Sequence, residues 1–527
     1  MRRFLLAAGL LAAMAAGPAI PWPASAGPLV TVSGPTPFPP GCDPMQDGTV
    51  FLNTEVEPWV AAHPVDPSRL VGGWQQDRWS NGGARGLLAA ASFDGGTSWQ
   101  RSVVPKITVC SGGTVANGGD FNRASDPWVT IAPNGDVYFM SLVTSIENPP
   151  NREGGLGKSG MMVNKSEDGG LTWGDPITLA RDDNPRILHD KNSITADPND
   201  SNFVYAVWDK LSVPLGSVIN PENVIGLGFQ SPAVLSRTTD GGQTWSAPRI
   251  IYQPGANNQT IGNQIVVLPT SRGGVLVNVF NEILNFKGND DRAKFDFNVT
   301  VIRSTDKGER WSRPIRVADM LTRALFDGFG VRDPDTNFPL RTGDIIPEIA
   351  VDRSSGNIFI VWQDARFDGD FQHDSVALSM STDGGLTWTA PMKVNRTPFQ
   401  AGQRGAAHTP AVYVASDGVV GVSYHDFRND TPEPGGAGPL STDAFLARYV
   451  VQDGQLVFIP DFGLSSTSEG DTRLTDESFD TRRAPVARGF FLGDYAGLTA
   501  SANVFVPFFT ITTPTDRADV VATRVSP

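Results

Sequence analysis

Helical periodicity, histidine and cysteine are all scarce in this sequence, and each scarcity removes a class of protein. No long stretch repeats its apolar residues every three to four positions, which argues against a helical fold. Five histidines leave little material for a histidine-rich metal site. The only cysteines, Cys42 and Cys110, do not have the paired spacing of a zinc site. In an oxidising compartment they either pair, tying the N-terminal segment to the first repeat, or remain two separate buried thiols. Gly-x-Ser-x-Gly, His-Glu-x-x-His and phosphate-loop signatures are absent. Past the N-terminus no apolar run is long enough to span a bilayer, so no membrane insertion is expected. Positive charge is also short: 42 Lys and Arg against 56 Asp and Glu give a formal charge of −14. Such a chain is unsuited to nucleic acid or anionic membranes, and neither partner is expected.

The N-terminus reads as a targeting segment. Arg2 and Arg3 precede an apolar run from Phe4 to about Ala16, and Ala24-Ser25-Ala26 is a small-x-small cleavage site. Residues 1–26 are therefore expected to be a secretion signal, cleaved near Ala26, with the mature protein secreted or periplasmic. The arginine pair matches a twin-arginine signal incompletely, so general secretion is the expected route. Residues 27–49 read as an N-terminal extension and residues 50–527 as one repeat domain.

Five copies of Ser/Thr-x-Asp-x-Gly-x-x-Trp organise that domain: Ser92 to Trp99, Ser166 to Trp173, Thr238 to Trp245, Ser304 to Trp311 and Ser381 to Trp388. They recur roughly every 70 residues, the signature of a repeat architecture. Each suits a tight hairpin. The Asp accepts backbone N–H groups across the turn, Gly takes the left-handed position and Trp buries a large apolar face. With 56 Gly, 41 Pro and many short apolar runs, the chain is predicted to be all-β, a single β-propeller of four-stranded blades. First-strand signals stand near Glu57, Asp126, Asn192, Asn263, Pro347, Pro410 and Gly493. Seven blades are favoured, and six with a degenerate first or last unit is the alternative. A strand near Val50-Phe51-Leu52 is expected to complete the last blade and hide its edge.

Loop lengths locate function. Long insertions fall between second and third strands (Ser145–Ser159, Leu211–Ser231, Ala365–Asp374) and between units (Asp319–Thr342, Phe462–Gly489), which emerge on one face of an up-and-down blade. First strands begin there and second strands end there, bringing carboxylates, arginines and aromatics to one funnel. Paired carboxylates suit acid/base work on glycosidic bonds, and arginines suit capture of a carboxylate. The catalytic candidates are Tyr495, Asp494, Asp126, Asp364 and Glu348. Arg78, Arg366, Asp426, Arg428 and Trp362 are the substrate-binding candidates. The Asp-x-Arg pairs also suit structural ion pairs. No metal ligands are assigned and no cofactor is required, although a ring of carboxylates would suit a structural Ca²⁺.

The five motifs resemble the Asp-box, or bacterial neuraminidase repeat, of the sialidase superfamily over about residues 50–527. The resemblance implies a sialidase-like glycoside hydrolase acting as a monomer on carbohydrate. Gly493-Asp494-Tyr495-Ala496-Gly497-Leu498 resembles the segment that carries the family's Tyr nucleophile, which makes Tyr495 the candidate. Gln264 stands where the activating Glu belongs, leaving Glu282 or Glu348 as substitutes, and Glu57-Pro58-Trp59 stands near the place of an early Arg-Ile-Pro. Those departures leave open a second function, a non-catalytic propeller that binds glycan or protein.

Overall fold

The computed structural model describes residues 25–43, 48–147, 155–214, 229–285, 295–324, 330–398, 402–433, 435–461, 463 and 465–527. Residues 1–24, most of the expected secretion signal, lie outside them. Among the described residues helix is confined to short turns, and no helix is long and apolar enough to cross a membrane.

Seven antiparallel meanders follow one another among the described residues. Their first strands are Glu55–Ala62, Arg123–Ile131, Ile187–Ala196, Gln259–Val267, Glu348–Val351, Ala407–Val414 and Gly497–Ser501. All seven coincide with the sequence signals. Each packs against the next in chain order, and Gly497–Ser501 returns against Glu55–Ala62. The first six meanders have four consecutive strands each.

The last meander is closed from the N-terminus, though not by the expected segment. Val30 pairs with Ala522 and Thr31 with Val521. Val50 instead bridges to Trp79, and the Phe51 N–H donates to the Arg78 carbonyl at 2.8 Å. Apolar payload decides between the two segments. Val32 and Phe38 bury themselves among Trp74, Leu88 and Phe508, whereas Leu52 is 53% exposed. The residues read as an extension are thus part of the last sheet. Cys42 and Cys110 form a disulfide, which resolves the open alternative and fixes this extension to the first meander.

The repeated motif forms the turn that its residues dictate. In the second copy, Asp168 Oδ1 accepts N–H groups of Leu171 (3.1 Å) and Thr172 (2.9 Å), and Oδ2 accepts the Thr172 hydroxyl at 2.6 Å. Ser166 Oγ donates to Asp168 at 2.8 Å and accepts the Gly170 N–H at 2.8 Å. Gly170, at φ +95°, is so close to the neighbouring meander that a Cβ would stand 3.1 Å from Val71. Trp173 Nε1 donates to Ser102 of that meander at 2.9 Å. The motif therefore stitches consecutive meanders and contributes nothing to the cleft described below. Asp168→Ala removes the acceptor for four donors. It is expected to lower the urea midpoint by the equivalent of about 2 kcal/mol while leaving ligand binding unchanged.

Candidate functional site

The site grows out of a recurring irregularity in the first strands. Five of them slip register at the same place, between Val56 and Trp59, Ser125 and Trp128, Asp190 and Ser193, Ile261 and Gln264, and His408 and Ala411. One residue in each slip has positive φ: Glu57 (+54°), Asp126 (+49°), Lys191 (+46°), Gly262 (+73°) and Thr409 (+49°). A side chain in this conformation costs about 1 kcal/mol or more. The bulge re-aims that side chain. Glu57, Asp126 and Lys191, from three consecutive meanders, are thereby turned onto one another.

Lys191 is the hub. Its Nζ donates to Asp494 Oδ2 at 2.7 Å and stands 3.4 Å from Asp126 Oδ2 and 3.8 Å from Glu57 Oε1. Arg341 clamps the same Asp494, Nε to Oδ1 at 2.8 Å and Nη2 to Oδ2 at 2.6 Å. The Arg341 and Arg78 guanidiniums both lie on the Phe491 ring, 4.5 and 4.8 Å from its centroid. Arg341 arrives on a long connection between meanders. It gets there because Gly343, at φ +64°, has no side chain: a Cβ would stand 1.8 Å from the Asp494 carbonyl oxygen. A second chain of hydrogen bonds supports the carboxylates. The Gln75 amide donates to Glu57 and to Ser125 Oγ (3.0 Å), and Ser125 Oγ donates to Asp126 Oδ1 at 2.7 Å.

This network floors a cleft of about 170 Å³. Asp126, Asp190, Lys191, Arg341, Asp344 and Asp494 line it, together with Arg78, Arg488 and aliphatic side chains such as Leu142, Leu188 and Ile261. Burial opposes the charge on Lys191, but the carboxylates of Asp126, Asp494, Glu57 and Asp190 overcome it and hold the ammonium well above the usual lysine range. Asp494 is the mirror case: burial opposes its charge, and Arg341 and Lys191 hold its carboxyl well below the usual range. Burial, reinforced by Asp126, pushes Glu57 up to about 8. Asp190, half-buried at the cleft, is pushed up to about 6 by burial and by Asp126, against the pull of Lys191.

The sequence-based candidates divide into three groups. Asp126, Asp494 and Arg78 line the cleft. Tyr495 and Glu348 lie beneath it, beside cavities of about 20 Å³. Tyr495 is 5% exposed, edge-on to Trp128, and its hydroxyl donates to the Pro127 carbonyl at 3.3 Å. Burial, then Glu57, Asp126 and Asp494, push its phenol well above the usual range, which opposes the phenolate that a nucleophile requires. Glu348 is buried and its carboxyl is raised well above the usual range by that burial. Gln264 Oε1 accepts the Ile349 N–H at 3.0 Å, and Glu282 accepts the Tyr252 hydroxyl.

The remaining five, Trp362, Asp364, Arg366, Asp426 and Arg428, are placed away from the cleft lining. Arg366 binds Asp364 two-pronged, both contacts at 2.8 Å, and the fully buried Trp362 donates to the same carboxylate at 2.7 Å. Arg428 joins Asp426 to Asp471, and Thr397 donates to Asp426 at 2.6 Å. Each Asp-x-Arg pair is bound locally, and Arg366 and Arg428 reach on to the Asp319 carbonyl and to Asp471, which ties these strand ends to loops.

Sequence reasoning passed over Lys191 and Arg341. Lys191 was detectable, because it stands at the first-strand position that Glu57 and Asp126 occupy in their own units. Arg341 lies in a linker without a repeat signal. Among the described residues, Cys42, Asp43 and Cys110 form the one group of three His, Cys, Asp or Glu side chains close enough to share an ion, and its cysteines are the disulfide.

No protein-family model matches this chain, and no curated protein matches it. Solved structures do. An α-L-arabinofuranosidase of Fusarium graminearum is 11% identical, with 95% of this chain and 97% of that chain covered and a TM-score of 0.44. An α-L-arabinanase of Penicillium chrysogenum is 15% identical, with 76% and 94% covered and a TM-score of 0.43. A mutant sialidase of Streptococcus pneumoniae is 12% identical, with 93% and 70% covered and a TM-score of 0.39. At such identities no residue role passes from these proteins to this chain. The chemistry on offer is that of the cleft itself: a carboxyl raised to about 6 (Asp190), a second carboxyl on the same cleft (Asp126) and an ammonium locked in place (Lys191).

Proposed function

We propose that the seven meanders are the blades of a β-propeller and that the cleft is the site of a secreted glycoside hydrolase acting as a monomer on carbohydrate. The cyclic packing of the first strands supports the architecture. The observation that carries the chemistry is the placement of Asp190 and Asp126 on one cleft, with the Asp190 carboxyl at about 6. Glycosidic cleavage needs one carboxyl protonated, to deliver a proton to the leaving oxygen, and another ionised, to support the sugar carbon or direct a water. Asp190 takes the first role and Asp126 the second. Asp494, held ionised between Arg341 and Lys191, positions Lys191 and does no proton transfer. Tyr495 is a packing residue beneath the floor in this assignment, so a sialoside has no priority among substrates.

The test is product release from a panel of glycosides and polysaccharides, a sialoside included. Asp190→Asn is expected to lower turnover about 10²–10⁴-fold, and wild-type activity is expected to fall as pH rises past about 6, where Asp190 loses its proton. Tyr495→Phe is expected to keep turnover. Loss of activity in Tyr495→Phe together with wild-type rates in Asp190→Asn would overturn the assignment and return the nucleophile to Tyr495. A second reading draws on the mutual pairing of Lys191, Asp494 and Arg341, which leaves a rigid, self-neutralised surface suited to holding a glycan without cleaving it. Saturable binding with no product from any member of the panel would favour it.

A further inference from the structure

One of the two small cavities beneath the cleft floor brings three meanders together. Its volume is about 20 Å³, room for one water molecule. Asp126 of the second meander, Asn192 of the third and Glu348 of the fifth line it. All three are buried, at 3%, 2% and 4% exposure. Each has one oxygen, Asp126 Oδ2, Asn192 Oδ1 and Glu348 Oε1, without a hydrogen-bond partner among the described residues. Other polar groups on the same wall are engaged. The Tyr495 hydroxyl donates to the Pro127 carbonyl at 3.3 Å, and Gln264 Oε1 takes the Ile349 N–H at 3.0 Å. Asn263 gives its amide to Asp209 and takes that of Asn278, both at 2.7 Å.

The three oxygens have complementary needs. Burial raises the Glu348 carboxyl well above the usual range, so it has an O–H to give. Asn192 is oriented by its own Nδ2, which donates to the Asp126 carbonyl at 3.0 Å, and its Oδ1 is therefore an acceptor. Asp126 Oδ1 takes the Ser125 hydroxyl at 2.7 Å, whereas the Lys191 ammonium stands 3.4 Å from Oδ2. One donor and two acceptors around a space of this size match one water, which accepts once and donates twice. A buried water makes about three such bonds, and unpaired buried polar atoms are costly. Lys191 already supplies positive charge on this wall, which disfavours a metal ion.

We propose that the cavity binds one water, which accepts from Glu348 and donates to Asp126 Oδ2 and Asn192 Oδ1, and that Glu348 acts through it as the positioning residue of Asp126. Asp126 is held at φ +49° on its bulge, and the water fixes its side chain from below. Without that bond, Asp126 Oδ2 is free to close on Lys191 and tighten the 3.4 Å contact into a full ion pair. The consequence for turnover rests on the hydrolase reading above; the water itself does not.

High-resolution crystal structures of the full chain and of two variants provide the test. Wild type is expected to show one water within hydrogen-bond reach of all three oxygens, a readout that needs no variant. Glu348→Gln retains a donor and is expected to keep the water. Glu348→Leu is expected to lose it and to draw Asp126 Oδ2 onto Lys191. In turnover, Glu348→Leu is expected to lower kcat about 10-fold with KM unchanged, and Glu348→Gln to restore most of it. A wild-type Glu348 bonded directly to protein with no water beside it would overturn the proposal. So would a metal ion with ligands at about 2.4 Å, or an Asp126 unmoved in Glu348→Leu. A chain that shows the water and the Asp126 shift but cleaves no glycoside would uphold this proposal and count against the hydrolase.

Discussion

Replacing Lys191 by methionine is expected to lower stability near pH 7 by about 3–5 kcal/mol, and lowering the pH to about 5 is expected to return a large part of that loss. The methionine keeps most of the apolar stem, so the effect reports the charge. In the native protein one ammonium lies within 4 Å of three buried carboxylates, at 2.7 Å from Asp494, 3.4 Å from Asp126 and 3.8 Å from Glu57. Arg341 neutralises Asp494 from the other side. Without Lys191 the buried Asp126 and Asp190, beside a Glu57 that already keeps its proton near pH 7, lose their counter-charge, and the cheapest response is protonation. Mild acid supplies those protons, which is why it restores stability. Urea midpoints of wild type and Lys191→Met near pH 7 and pH 5 decide it. A loss of equal size at both would mean that Lys191 contributes packing alone.

Stability of the unaltered protein is expected to fall as pH rises from about 6 to 9, by an amount on the order of 3 kcal/mol. Glu57 is raised to about 8 and Asp374 to about 7, in each case by burial first. These carboxyls keep their protons in the folded state at pH values where the unfolded chain has lost them. Folding therefore takes up protons, and stability declines as pH climbs through the folded-state values. Lys191 and Asp494 do not oppose this trend. The raised lysine loses its contribution only above the usual lysine range, and the depressed aspartate loses its own only in strong acid. Below about pH 6 a different group takes over. His425 is lowered to about 4 by burial, and His408, stacked on it, lies well below the usual range. The unfolded chain binds those protons first, which offsets the carboxyls between about pH 4 and 6 and flattens the acid side of the profile. Urea midpoints across the range, with Glu57→Gln as control, test this: the variant is expected to flatten the alkaline slope and to be the more stable chain near pH 9. A stability that is level or rising toward alkali would contradict it.

Much of this molecule is legible in one dimension because its physics is local and repeated. Ser166, Asp168, Gly170 and Trp173 interact within a single turn and with the adjacent unit, so the motif alone announces the hairpin and its spacing announces the repeat. The seven first strands follow from apolar runs ending at Gly- and Asp-rich turns, and all seven lie where those signals stand. The gathering of Asp126 and Asp494 at one place follows from their shared position at the start of a first strand.

Pairing across long stretches of chain was left to the tertiary structure. Asp364-x-Arg366 and Asp426-x-Arg428 read like substrate contacts, but an Arg two residues from an Asp reaches it without help from the fold, and each Arg then reaches on to a loop, Arg366 to the Asp319 carbonyl and Arg428 to Asp471. The pairs that shape the cleft, Arg341 with Asp494 and Lys191 with Asp494, are 153 and 303 residues apart and carry no local pattern. The same holds for Cys42 with Cys110 and for the N-terminal strand, where burial of Val32 and Phe38 outweighed the more strand-like Val50-Phe51-Leu52. Sequence determined the repeat, its turns and the ring of first strands, because each depends on neighbours within a few residues. Only the folded chain decided which charges meet, because that depends on bulges, on a glycine at 343 and on how the ring closes.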